Sequence, residues 1–426
     1  MRGKQLVDPQ EFFGLFSAGR RPDPYPAYRR WRERRPVAAL DERMFAVSGF
    51  AEATQVLRDP AFGHPEPEYL DPADRRPDQP VDESGRVVRA FLSLNPPDHT
   101  RLRRLVAKAF TPRMVEQLAP RIEEIAAGLI DRAPAGFDVM TALAKPLPVE
   151  VIAELLGVPL DDRERFAEWS HAMARAVDPP FMQRPETLEP AAKARQSFVG
   201  YFRALAAERR REPGDDLLSA LVAVSDAGDV LSEGELLVTL TLLLIAGHET
   251  TTNLIGNGVL ALLRGPDGLK PLGAEGENAA RVVEEVLRYD SPVQLTARTA
   301  LRDTAVGELA VPAGSQLIIV LGAANRDPAT GPSPESFDPA REPGRHLAFG
   351  QGIHFCLGAP LARLEARIVF RELARRRPEL ALAGNPEWTP TTTLRGLSTL
   401  PVTSGVGSAG PQPPTRVSAP MWPSVR

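Results

Sequence analysis

The chain of 426 residues has a single cysteine, Cys356. One thiol cannot form an internal disulfide or supply a multi-cysteine zinc or iron–sulfur site. Its scarcity suits a reducing cytoplasm rather than a secreted, disulfide-stabilised fold. A basic surplus is also missing: the net charge is −4, which gives no reason to expect nucleic acid. Long apolar runs are absent too. The strongest, residues 236–246, reaches roughly half the length a bilayer demands and is interrupted by Thr239 and Thr241. Residues 1–14 mix Arg, Lys, Asp and Glu and contain no signal-peptide run. No repeat and no linker divides the body. These absences predict a cytoplasmic protein with neither membrane nor nucleic acid among its partners.

What is present is the apolar content, 43%, and charged content, 25%, of an ordinary globular protein with a large core. Apolar spacing predicts helices over 26–35, 99–110, 112–132, 149–156, 163–176, 191–211, 233–263, 279–289 and 357–376. Strands are predicted at 37–39, 44–47, 296–301 and 314–320. The 233–263 segment is apolar nearly all round in its middle, which places it at the centre of the molecule. The fold class is mainly α with a smaller β region. One domain covers residues 1–404, and the Gly/Pro/Ser-rich stretch 405–426 reads as a disordered tail.

Cys356 lies in Phe349-Gly350-Gln351-Gly352-Ile353-His354-Phe355-Cys356-Leu357-Gly358. A lone cysteine is most often a small buried hydrophobe. Here Gly350, Gly352 and Gly358 permit positive φ and close backbone approach to a bulky planar partner. The helical pattern from residue 357 puts Cys356 at or just before a helix N-terminus, where the dipole and free N–H groups stabilise an anionic sulfur. A desolvated thiolate on such a loop is what a haem iron takes as an axial ligand, and His354 can donate to a haem propionate. Competing motifs fail. A dinucleotide loop needs glycine where Phe355 stands, and a zinc-protease HExxH needs histidine where Thr252 stands.

The run FGQGIHFCLG resembles the cysteine-ligand signature of the cytochrome P450 haem-thiolate monooxygenases, matched at every defining position, and the resemblance covers almost the whole chain before the tail. It implies the family fold, with haem b (iron protoporphyrin IX) between the long central helix and the helix of the cysteine loop, and Cys356 on the metal. Three further groups of residues occur in the family's order. In Ala246-Gly247-His248-Glu249-Thr250-Thr251, Thr250 can simply bond back to the Ala246 carbonyl. That back-bonding can also open a groove in the helix. The resemblance places this groove, with Ala246, over the haem, and implies a hydroxyl role for Thr250 and a proton-supply role for Glu249 in splitting the O–O bond. His248 is expected to be structural.

Glu285 and Arg288 fall on one helix face. The resemblance buries this pair, adds Arg341, and gives all three a structural role behind the cysteine loop. His99 and Arg103 also share a helix face and can donate to anionic oxygens. The resemblance implies that they grip the haem propionates, joined by Arg298 and His354. The run 329–332 departs from the usual pattern and puts only local loop packing in doubt.

Nothing in the chain resembles a flavin, nicotinamide or iron–sulfur unit. The resemblance therefore implies a ferredoxin and a ferredoxin reductase as electron donors, beside dioxygen and an apolar small-molecule substrate, with the enzyme a monomer. Arg101, Arg104, Lys108, Arg363, Arg367 and Arg371 form either a docking patch for an acidic carrier or scattered solvated charges. A pocket is expected near 63–91, 175–188, 243–247, 293–295 and 394–397. The leading expectation is hydroxylation or epoxidation of a polyketide or macrolide in secondary metabolism. A terpenoid, steroid or fatty acid is the alternative substrate. A peroxide-driven peroxygenase is disfavoured by the Glu249–Thr250 pair, and a haem sensor would not need Thr250.

Overall fold

The computed structural model describes residues 6–65, 87–176, 178, 183, 185–226 and 228–404. The expected tail, 405–426, lies outside them. Helices dominate, and the longest is the central one, Glu233–Arg264. It starts where Ser232 accepts from the Glu235 N–H while the Glu235 side chain accepts from the Ser232 N–H, a reciprocal capping box. Its interior is buried on every side, with each residue from Thr251 to Leu260 buried, because helices surround it. Those packed against it include Pro146–Leu155, Arg163–Ala174, Pro185–Arg211, Ala279–Tyr289 and Ala359–Arg376.

One contact sets how closely the central helix meets the helix after the cysteine loop. A Cβ on Gly258 would stand 2.3 Å from the ring of Phe370, a side chain with no exposure. Glycine at 258 therefore lets the two helices approach where any larger residue would force them apart. The helix Ala359–Arg376 begins two residues later than the apolar pattern predicts, with Pro360 in its first turn, where a missing N–H is harmless.

The predicted helix 112–132 is two helices, Pro112–Gln117 and Ala119–Arg132. The cause is Pro120, which has no N–H to donate and whose ring would clash with the carbonyl four residues back, so the axis breaks at Leu118. Apolar periodicity runs through this break because both pieces bury the same kind of face.

The main sheet has the strand order Val37–Ala39, Met44–Val47, Gln316–Val320, Leu295–Ala300, Phe62–Gly63. Gln316–Val320 runs parallel to Met44–Val47, with Leu317 opposite Phe45, and antiparallel to Leu295–Ala300, with Leu317 opposite Arg298. Phe62 and Gly63 pair with Ala300 and Thr299. This short edge pairing carries residue 64 to the neighbourhood of Arg298.

Behind the sheet, Glu285 is almost fully buried and takes two hydrogen bonds from Arg288, at 2.7 and 2.8 Å. Arg341 approaches the same carboxylate at 3.1 Å. Arg288 also donates to the carbonyls of Asn325, Pro334 and Ser336, and Arg341 to those of Pro332 and Ser333. The unusual run 329–332 is thus closed by Arg341 itself, with Thr330 buried and donating to the Asp327 carbonyl. Among the described residues no helix is long and apolar enough to cross a membrane.

Candidate functional site

The cysteine loop is built on backbone hydrogen bonds. The Gly350 N–H donates to Leu347, the Phe355 N–H to Gly352, and the Cys356 N–H closes the loop on the Phe349 carbonyl at 2.9 Å. Gly350 and Gly352 hold φ values of 66° and 70°. At Gly352 a Cβ would also stand 2.3 Å from the Leu57 carbonyl oxygen, so only glycine lets the loop lie on the end of helix Phe50–Arg58. Cys356 is half-buried, and Ile353 and Phe355 are exposed. Burial pushes the thiol above its ordinary value. The backbone N–H groups of Gly358 and Ala359, with the charges of Arg103 and Arg363, act in the opposite direction. Donors aimed at the sulfur suit an anionic ligand atom.

Beside the loop stands a group of cationic and imidazole side chains. The His354 ring is 4.4 Å from that of His99 and 4.7 Å from that of His64. Among the described residues, both ring nitrogens of His354 and Nε2 of His64 are buried with no hydrogen-bond partner, and the buried His99 ring meets the backbone of Ile353. Arg298 is 6% exposed, and among the described residues its side chain donates only to the Ala297 carbonyl and, weakly, to Thr296. Burial lowers Arg298 to about 10. Burial also lowers His64 to about 3 and His354 to about 2, helped in each case by the cations around it. The groups acting most strongly on these three are burial and positive charge, with no carboxylate among them. Buried donors without acceptors are costly, and like charges gathered in one place repel. A dianionic ligand relieves both, so these residues fit haem carboxylates.

Arg103, expected at the haem propionates, lies beside the cysteine loop. Its guanidinium donates to the Phe355 carbonyl at 2.6 Å and lies near Cys356, so it holds the loop on the sulfur side. His99, Arg298 and His354 are brought together, as the resemblance implies. His64 was not legible. It sits in an irregular run with no motif around it, and only the pairing of Phe62–Gly63 with the Arg298 strand brings it in.

Ala246, Glu249 and Thr250 form a second group, on the central helix. Ala246 is exposed although Leu244 and His248 are buried, which leaves a small side chain on an open face. The Thr250 hydroxyl donates to the Ala246 carbonyl at 2.7 Å. His248 bonds Ser170 at 2.7 Å, tying the central helix to Arg163–Ala174, and approaches Glu249 at 3.2 Å. Burial raises the Glu249 carboxyl, but the His248 hydrogen bond and the charges of His248, His171 and Lys145 outweigh it and hold the group below its ordinary value. His171 is a second residue that sequence pattern missed.

The expected pocket wall needs correction. Leu243 and Val293 are half-buried, and Val293 bridges to Leu394. Leu295 and Leu397 are core residues instead, and Gln294 is buried against Tyr25 and Ser291. Much of 63–91 and 175–188 lies outside the described residues. The basic patch also thins out: Arg101 pairs with Asp229 and Glu235, Arg363 with Glu284, and Arg371 with Glu123. Arg104, Lys108 and Arg367 are exposed.

The family model for "Cytochrome P450" matches residues 70–377. The monooxygenase PikC of Streptomyces venezuelae is 43% identical over 394 residues, covering 89% of this chain and 91% of that protein. The vitamin D(3) 25-hydroxylase of Pseudonocardia autotrophica is 43% identical over 405 residues, covering 93% and 97%. The polyketide biosynthesis protein PksS of Bacillus subtilis is 38% identical over 393 residues, covering 89% and 95%. Its solved structure superposes with a TM-score of 0.81 over 92% of this chain and 99% of that one.

Proposed function

The chain belongs to the cytochrome P450 family and is a haem-dependent monooxygenase, and on that premise we propose that it hydroxylates or epoxidises an apolar polyketide-derived natural product. The observation that carries the reading is the loop at Cys356, whose sulfur faces two backbone N–H groups beside a cluster of unpartnered donors. Cys356 would supply the thiolate ligand to the iron, and His99, Arg298 and His354 would take the haem carboxylates. The group would be iron protoporphyrin IX, since a single cysteine leaves no thiols for the thioether attachment of a c-type haem. Bound there, haem supplies the activation of dioxygen and the delivery of one oxygen atom to substrate.

The chain's own residues do the rest. Ala246 leaves room on the central helix for dioxygen and substrate. Thr250, by bonding back to Ala246, holds a hydroxyl at the groove, where it can pass a proton in from Glu249. Glu249 is ionised near neutral pH, so it takes protons from the His248 and His171 side and hands them on. Arg103 steadies the loop carbonyl next to the sulfur. Electrons come from a ferredoxin and its reductase, with Arg104, Lys108 and Arg367 on the face that meets an acidic carrier. The protein works as a cytoplasmic monomer, with residues 1–404 its single domain.

Substrate class rests on resemblance to PksS, whose name places it in polyketide biosynthesis. The 25-hydroxylase of vitamin D(3) supports a steroid-like substrate as the second reading. Optical titration of the ferric protein with macrolide aglycones, secosteroids and fatty acids separates them. A water-displacement shift with aglycones is expected. A response confined to secosteroids or fatty acids would overturn the polyketide assignment.

A further inference from the structure

Histidine 64 has a place that the monooxygenase reading does not use. Its main chain is fixed on both sides. The His64 N–H donates to Asn95 Oδ1 at 2.8 Å, and Asn95 Nδ2 donates to the His64 carbonyl at 2.9 Å. Gly63 makes room for this clamp, since a Cβ there would stand 2.3 Å from Asn95 Oδ1. The preceding pair, Phe62 and Gly63, is hydrogen-bonded into the strand that carries Arg298. The imidazole is therefore held where it is by three elements, and its placement is not the accident of a loose surface chain.

What the ring meets is His354, edge to face at 87° and 4.7 Å, with Nε2 buried and without a partner among the described residues. The charged groups that act on His64 are Arg298, Arg89 and His99, all of one sign. A histidine serving only as packing would bury its nitrogens against an acceptor or turn them to water. Here a pinned backbone aims an unsatisfied donor at the same spot as His99, His354 and Arg298. The cost of such a collection is offset only if an anion with several acceptor oxygens enters among them.

We propose that His64 is a fourth donor to the haem carboxylates, reaching them from the edge strand Phe62–Gly63, alongside His99, Arg298 and His354. The inference rests on the haem-binding reading and concerns only which residues hold the propionate end. No covalent or redox step is involved. His64 is a cofactor-binding residue, and it contributes to retention of haem rather than to oxygen chemistry.

The test compares wild type, His64→Ala and His64→Gln as haem-loaded proteins. Haem transfer to excess apomyoglobin gives the dissociation rate, and resonance Raman spectroscopy gives the propionate bending mode. A hydrogen bond to a charged group is strong enough that its removal in His64→Ala should speed haem loss about tenfold or more and shift the bending mode. His64→Gln keeps a donor and should recover most of the wild-type rate and mode. Haem loss from His64→Ala at the wild-type rate would overturn the proposal. So would a glutamine variant no better than alanine, because that pattern reports ring packing. The carbon monoxide complex of each reduced protein separates this outcome from the parent reading. A thiolate band in wild type keeps the haem-thiolate assignment whatever His64 does, and its absence in wild type would sink both.

Discussion

The Arg103 guanidinium donates to the carbonyl oxygen of Phe355 at 2.6 Å, tying helix Asp98–Ala109 to the residue before Cys356. A cation so close to the sulfur favours negative charge there, and the reduced state of a bound iron carries one more electron. Replacing Arg103 by Ala should therefore lower the ferric/ferrous midpoint potential by tens of millivolts, on a scale where about 59 mV is tenfold for one electron. Arg103→Lys should keep most of the potential but lose the planar hold on the loop. Redox titration checks both, and an alanine variant with an unchanged potential would place Arg103 away from the sulfur.

Glu285 is the acceptor that Arg288 and Arg341 share, and both arginines also hold carbonyls of the 325–336 segment. Removing one partner from a buried ion pair leaves the other uncompensated, at a cost of about 3–5 kcal/mol. Glu285→Ala should accordingly show a lower denaturation midpoint and a lower haem content when purified. Arg341 is more exposed than Arg288, so Arg341→Lys should do much less harm than Arg288→Lys. Equal loss in the two lysine variants would contradict a hierarchy centred on Arg288.

Thr250 and Glu249 occupy successive positions of the central helix but have different partners, the Ala246 carbonyl and His248. Thr250→Ala should keep consuming electrons and dioxygen while product falls, and Thr250→Ser should restore coupling. Glu249→Gln should slow turnover by about a hundredfold, the lower range for a positioned acid or base. The ratio of product formed to electrons consumed, measured beside total oxygen uptake, distinguishes the two. Full coupling in Thr250→Ala would remove the hydroxyl from proton delivery.

Glu284 links helix Ala279–Tyr289 to both sides of the cysteine loop, accepting from Arg363 and His346. Burial raises this carboxyl, but the His346 and Arg363 hydrogen bonds and charges overcome it and bring it to about 2, from an ordinary 4.5. A depressed carboxyl stabilises the fold fully above its unfolded value and loses that contribution as pH falls toward the folded one. The stability gap between wild type and Glu284→Gln should thus be widest near pH 7 and close between about 4.5 and 2. Urea midpoints of both proteins across that range test it, and a gap independent of pH would show that charge on Glu284 is not what matters.

Much of this architecture is legible in the chain because its signals are local. The cysteine loop announces itself through glycines that the backbone needs, two of them at positive φ. The spacing of Glu285 and Arg288, and of His99 and Arg103, follows from helical geometry. Ala279–Tyr289 and the first two strands of the main sheet fall where periodicity predicts. Signals that depend on distant partners are silent. His64 becomes part of the site only through an edge strand of two residues. The Arg103 bond to the Phe355 carbonyl arises because the loop folds back onto its helix. Leu295 and Leu397 look like pocket lining in sequence, yet sheet and helix packing draws both into the core. Pro120 was the readable exception, since its missing donor is a local cause of the break at Leu118.

The proposed role of the Cys356 sulfur as thiolate ligand to haem is tested most directly by the spectrum of the reduced carbon monoxide complex. The wild-type protein should show the red-shifted band that only a thiolate ligand produces. Cys356→Ser should either fail to retain haem or bind it with that band absent. A serine variant that keeps haem and still shows the thiolate band would contradict the assignment at its root.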